Sequence, residues 1–139
     1  MNNRLWCTIT LGLTLSILPL HGEDFTCVTN NGTVTITGYT GPGGDVTIPS
    51  EINGLPVTTL GDGVFCGNGN MASITVPDGV TSIGGRAFSY CPNLTNVTIG
   101  HGITSLHGEY SMFDPMGIFT GCGSLTSITL PDSLTDIGI

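Results

Sequence analysis

The sequence contains no lysine, and Arg4 and Arg86 are its only arginines; against ten acidic residues this leaves a formal net charge of −8. Such a chain repels phosphate backbones and anionic headgroups alike. Nucleic acid is therefore excluded as a partner, and so is electrostatic attachment to a membrane surface. Charged residues of both signs make up only 9% of the chain, and the acidic ones are scattered. No Asp-x-Asp-x-Asp-Gly run occurs, so a calcium loop is not expected. Neither Cys-x-x-Cys nor His-x-x-x-His spacing occurs, so a zinc site is not expected either. His101 and His107, the histidines beyond residue 22, have no acid–base or nucleophile constellation beside them in sequence. The expectation is a protein without catalytic residues, cofactor or metal. Sustained 3.6-residue periodicity is also missing outside the N-terminus, which leaves little room for helices.

What the chain does have is glycine, 22 residues of it, together with Thr, Ser and Asn at turn positions. That composition suits many short strands. Three stretches share one pattern. Met71, Ile74 and Val76 are followed by Pro77; Leu94, Val97 and Ile99 by Gly100; Leu125, Ile128 and Leu130 by Pro131. Each is followed by a second apolar pair, Val80/Ile83, Ile103/Leu106 and Leu134/Ile137, and the first two pairs then by Phe88-x-x-Cys91 and Phe119-x-x-Cys122. Val57, Val80 and Ile103 are 23 residues apart, and Leu134 follows after 31 because residues 109–116 are inserted. An earlier copy at Val46, Ile48 and Pro49 precedes its counterpart by 28, with the extra residues near Ile52–Pro56. A fixed period that survives two insertions predicts a stack of similar coils. Strand alternation sends Val97 and Ile99 inward and Thr98 outward.

These residues resemble the BspA-type leucine-rich repeat, with the closest agreement over 84–91 and a looser one before residue 71, where Asn68 takes the Cys position and Cys66 is out of register. The resemblance implies a β-rich solenoid of repeats of about 23 residues stacked as parallel ladders. It also implies export to the cell surface or medium and a role in protein binding or adhesion. It supplies no catalytic residues.

Residues 1–22 read as a secretory signal peptide: Arg4 gives the positive start, 5–20 the uncharged core, and Gly22 a small residue before the cut. No membrane insertion is expected after cleavage. Residues 23–45 read as an N-terminal hairpin cap. Asn31-Gly32 marks a two-residue turn that sets Cys27 opposite Ile36 and places Phe25, Cys27, Val34 and Ile36 on one face. Residues 46–139 form the solenoid, whose last repeat is incomplete.

Four sets of residues are candidates for function. Asp45, Ser73, Asn96 and Ser127 should form one outward row, and Thr47, Thr75, Thr98 and Thr129 a second, giving a flat, weakly charged surface. Thr also simply suits an exposed strand face. The insertion carries Tyr110, Met112, Phe113 and Met116, residue types common in interface cores, on a segment of the kind that repeat proteins place at a binding face. Cys91 and Cys122 occupy equivalent positions and read as buried thiols within disulfide reach of one another. A Cys27–Cys66 disulfide would pin the cap to the first coil in an oxidising compartment. Asp78 and Asp132 follow strand-ending prolines, where a carboxylate can accept from turn backbone. Sequons at Asn31, Asn93 and Asn96 matter only where the host glycosylates exported proteins. The expected function is an exported leucine-rich-repeat interaction module that engages a protein or glycan ligand at the cell surface. The alternative is a structural spacer, or the N-terminal part of a larger surface protein whose activity lies beyond residue 139.

Overall fold

The computed structural model describes residues 24–106 and 117–137. Residues 1–23, the insertion 109–116 with the two residues before it, and the last two residues lie outside them. The described residues start with a hairpin of β1 (Phe25–Asn30) and β2 (Thr33–Tyr39). Asn31 and Gly32 take φ of 49° and 78°, the two left-handed residues a type I′ turn needs. The pairing sets Cys27 against Ile36, and Phe25, Cys27, Val34 and Ile36 are all buried, as the turn spacing requires. A bulge between Thr26 and Cys27 then shifts the register so that Phe25 meets Tyr39.

The solenoid proper has a face of four parallel strands, β3 (Gly44–Thr47), β6 (Met71–Thr75), β8 (Asn96–Thr98) and β10 (Ser127–Thr129). They stack in the order β10-β8-β6-β3. Val46, Ile74, Val97 and Ile128 share one row of this sheet. The return side holds β5 (Leu55–Leu60), β7 (Ser82–Ile83), β9 (Ser105–Leu106) and β11 (Asp136–Ile137). β5 pairs with β7 and β9 with β11, both parallel. The hairpin caps this side: β2 adds to β5 in parallel, Val34 against Val57 and Ile36 against Leu60. The residues inserted after the first rung form a second hairpin, β4 (Glu51–Ile52) against β5. Its turn is Asn53-Gly54, with φ of 53° and 76°, the same chemistry as Asn31-Gly32. No helix occurs among the described residues.

The third side of each coil is the Phe-x-x-Cys turn, and it too is a ladder. Phe65 and Gly67 donate their amides to Ala87 and Ser89 of the next coil, and Phe88 and Tyr90 donate to Ile118 and Thr120. This register stacks the rings of Phe65, Phe88 and Phe119 at 5.5 Å per step with interplanar angles of 17° and 12°. Tyr39 and Phe25 extend the column into the cap. Offset stacking at this spacing adds to the burial of each ring. Repeated threonines join the coils elsewhere. The hydroxyls of Thr81, Thr95, Thr126 and Thr135 donate to the carbonyls of Thr58, Ala72, Thr95 and Thr104 one coil back. A threonine inside the repeat is therefore a cross-coil donor as well as a strand former.

Candidate binding face

The outward side of the four-stranded sheet is built by alternation alone. Because Val46, Ile74 and Val97 are driven into the core, at 4%, 1% and 1% exposure, their neighbours on either side must face out. Asp45, Ser73, Asn96 and Ser127 are in register, and so are Thr47, Thr75, Thr98 and Thr129. All four threonines of the second row are exposed. Rungs follow at about 4.8 Å and the two rows lie about 7 Å apart, so the face is about 14 Å along the stack. Its chemistry is hydroxyl and amide. Asp45 is the one carboxylate in the two rows, and it accepts a 2.6 Å bond from the Ser73 hydroxyl.

At the strand ends, Asp78 and His101 are rung neighbours. Asp78 Oδ1 accepts the His101 amide at 2.9 Å and lies 3.1 Å from His101 Nδ1. The expected bond from Asp78 to turn backbone is thus made, but to the next coil. The His101 amide first, and its ring second, hold the Asp78 carboxyl below its ordinary range. Both side chains are mostly in solvent, so this pair is weak.

The cysteines divide. Cys91 is fully buried and Cys122 partly so. The Cys91 thiol donates to the Phe65 carbonyl at 3.1 Å, and the Cys122 thiol to the Phe88 carbonyl at 3.0 Å. Burial pushes the Cys91 thiol up to about 11 and raises Cys122 as well. At neutral pH both thiols are mostly protonated, so exchange at either must proceed through a minor thiolate fraction. In the first coil Asn68 takes the same position, and its Oδ1 accepts the amides of Asn70 and Met71. The Cys27–Cys66 bridge is not formed. Cys27 is disulfide-bonded, but Cys66 is a free, exposed thiol. Cys27 points into the cap core while Cys66, one place past the inward Phe65, points out.

Two residues that sequence reading passed over stand out. Arg86 and Tyr90 adopt φ of 55° and 56°, and both are exposed. Their counterparts 23 residues earlier are Gly63 and Gly67, with φ of 59° and 76°. A left-handed backbone costs a residue with a Cβ roughly 1–2 kcal/mol. Comparing the coils position by position is the signal that would have found them. They lie on the phenylalanine turn, away from the threonine rows. Tyr110, Met112, Phe113 and Met116 lie outside the described residues, as does His107. Among the described residues no three His, Cys, Asp or Glu gather as metal ligands, and no helix is long and apolar enough to cross a membrane.

A family model described as the BspA type Leucine rich repeat region (6 copies) matches residues 115–139. A search of curated proteins gave no match. Among solved structures, the leucine rich repeat protein of T. pallidum superposes with a TM-score of 0.72 at 29% identity, over 86% of this chain and 53% of that one. A leucine-rich repeat protein from Bacteroides ovatus ATCC 8483 gives 0.67 at 27%, over 88% and 32%. A leucine rich cell surface protein from Faecalibacterium prausnitzii A2-165 gives 0.52 at 26%, over 88% and 45%. The chain thus spans about half or less of these relatives' lengths. The period, the Phe-x-x-Cys column, the parallel rungs and these likenesses agree: the chain is a leucine-rich-repeat β-solenoid, and over residues 115–139 it matches the BspA-type repeat.

Proposed function

We propose that this chain is an exported interaction module that binds a protein or glycan ligand at the cell surface through the outward face of its four-stranded sheet. The observation that carries the reading is the pair of in-register rows ending in Thr47, Thr75, Thr98 and Thr129. They offer a flat hydroxyl surface of low charge, on a rigid ladder whose core does not depend on them. Such a face pays little ordering entropy on binding, because its rows are already fixed by the strands beneath. The T. pallidum and F. prausnitzii likenesses support a repeat-based interaction role, and the latter protein's description supports a surface location. The insertion with Tyr110, Met112, Phe113 and Met116 is a second contact region within the same reading.

The test is binding of wild type and the Thr75→Lys/Thr98→Lys double variant to immobilised extracellular proteins and a glycan array. Loss of a wild-type signal with an unchanged melting curve supports the face. Full retention of the signal removes the face from the reading.

A further inference from the structure

Outside the strand face, the Phe-x-x-Cys turns line up a column of thiols, Cys91 and Cys122. Cys91 and Cys122 sit one rung apart on the turn ladder, whose register just before them is fixed by Phe88 N–H to Ile118 C=O at 3.1 Å and Tyr90 N–H to Thr120 C=O at 2.6 Å. Adjacent rungs are about 4.8 Å apart, within the span of about 4.4–6.8 Å that a disulfide bridges between Cα atoms. The step is visible in the neighbouring column, where Phe88 and Phe119 stack at 5.5 Å. Both thiols point back along the stack, to the carbonyls of Phe65 and Phe88. We propose that Cys91 and Cys122 are a redox pair that closes to an inter-coil disulfide when the protein meets a small-molecule disulfide oxidant.

The chemistry is thiol–disulfide exchange. Cys122, the more accessible of the two, loses its proton to solvent and attacks one sulfur of the oxidant. The oxidant's S–S bond breaks, one thiolate leaves and takes up a proton, and a mixed disulfide remains on Cys122. Cys91 then gives up its proton and attacks the Cys122 sulfur, expelling the second thiolate. Two cysteine thiols are oxidised to one disulfide, and one oxidant disulfide is reduced to two thiols. Phe65 keeps the Asn68 amide as a donor at 3.1 Å when the Cys91 thiol is consumed. The bond would tie together the coils on either side of residues 109–116. It does not depend on what the strand face binds.

Glu109 lies between the two cysteines, and Glu51 and Glu109 are the glutamates beyond residue 23. This permits a direct test. The Cys66→Ser chain is incubated with reduced or oxidised glutathione, alkylated, and cut with a glutamate-specific protease. Mass spectrometry then reads whether fragments 52–109 and 110–139 are joined. We expect most of the oxidised sample to carry them joined, to separate on reduction, and the reduced sample to carry them apart with both thiols alkylated. The overturning result is separate fragments in the oxidised sample, or fragment 110–139 joined to glutathione or to fragment 24–51 instead. Because Cys66→Ser changes an exposed residue outside the column, the result does not hinge on a variant of the core.

Discussion

Replacing Phe88 by Ala tests whether the column of rings, and not the strands alone, holds the coils together. Phe88 is fully buried and stacks on Phe65 below and Phe119 above, at 5.5 Å each. Truncating a buried Phe to Ala costs about 3–5 kcal/mol. Two ring contacts, each contributing about 0.5–1.5 kcal/mol, place Phe88 near the top of that range. Among the described residues Phe119 has one ring neighbour, and it is only partly buried, so Phe119→Ala should cost about 2 kcal/mol by the same scaling. With a urea slope of about 1.5 kcal/mol per M, the midpoint should fall by about 3 M for Phe88→Ala and by somewhat over 1 M for Phe119→Ala. Losing about 4 kcal/mol is a large share of the roughly 5–15 kcal/mol a domain has. In a stack where each coil contacts only its neighbours, both interfaces of the middle coil weaken together. Urea melts followed by far-UV circular dichroism read both values. If the two variants fall within about 1 kcal/mol of each other, the ring column is not the coupling element and the reasoning fails.

Face and core should separate at adjacent residues. Thr98→Lys should leave stability within about 0.5 kcal/mol, whereas Val97→Lys, at 1% exposure, should cost on the order of 4 kcal/mol or prevent folding; thermal melts decide. Gly67 has φ of 76° with nothing near its absent Cβ, and Gly69 has open space without the positive φ. Gly67→Ala should therefore cost about 1 kcal/mol and Gly69→Ala close to nothing, and equal melting temperatures would contradict the strain argument. The Cys91 thiol is raised, by burial, to about 11. Its stabilising effect is thus intact below the ordinary thiol range and lost as pH rises through about 11, so wild type should lose more stability than Cys91→Ala in an alkaline series. Asp78 has the opposite sign. Its lowered carboxyl helps above the ordinary Asp value and ceases to help as pH falls through the folded one, so Asp78→Asn should flatten the acid side slightly.

Most of the coil was readable because two periods coincide. The repeat length fixes which residues share a rung, and strand alternation fixes which of them face inward. Together they place Thr75, Thr98 and Thr129 in one row and bury Val80, Phe88 and Leu94. The Asn31-Gly32 turn fixed the cap register in the same way. Contacts at right angles to the chain pattern were harder. The Asn53-Gly54 hairpin carried its signal, but with only two residues in β4 it looked like an insertion rather than a strand. That β2 would join β5 follows from three-dimensional stacking, which no local pattern encodes. The Cys27–Cys66 bridge failed because proximity along a coil does not say which way a side chain points. Asp78 and His101 were readable in principle, being 23 residues apart, and the left-handed Arg86 and Tyr90 only by comparison with Gly63 and Gly67.

The same geometry explains why a repeat of this kind suits a binding role. Residues that define the coil, such as Phe88, Cys91, Val97 and the cross-coil Thr95 hydroxyl, occupy positions with no share in the outer rows. A substitution at Thr75 or Thr98 changes what the face presents and leaves every contact of the column in place. Specificity can then drift at almost no cost in stability, which a globular site lined by core residues cannot do. Beneath Thr75 and Thr98 the inner row is closed, with Ile74 and Val97 each 1% exposed, so a ligand on these two rungs meets a surface that the core already holds in place, and substitutions at 75 and 98 should change binding without changing the melting temperature.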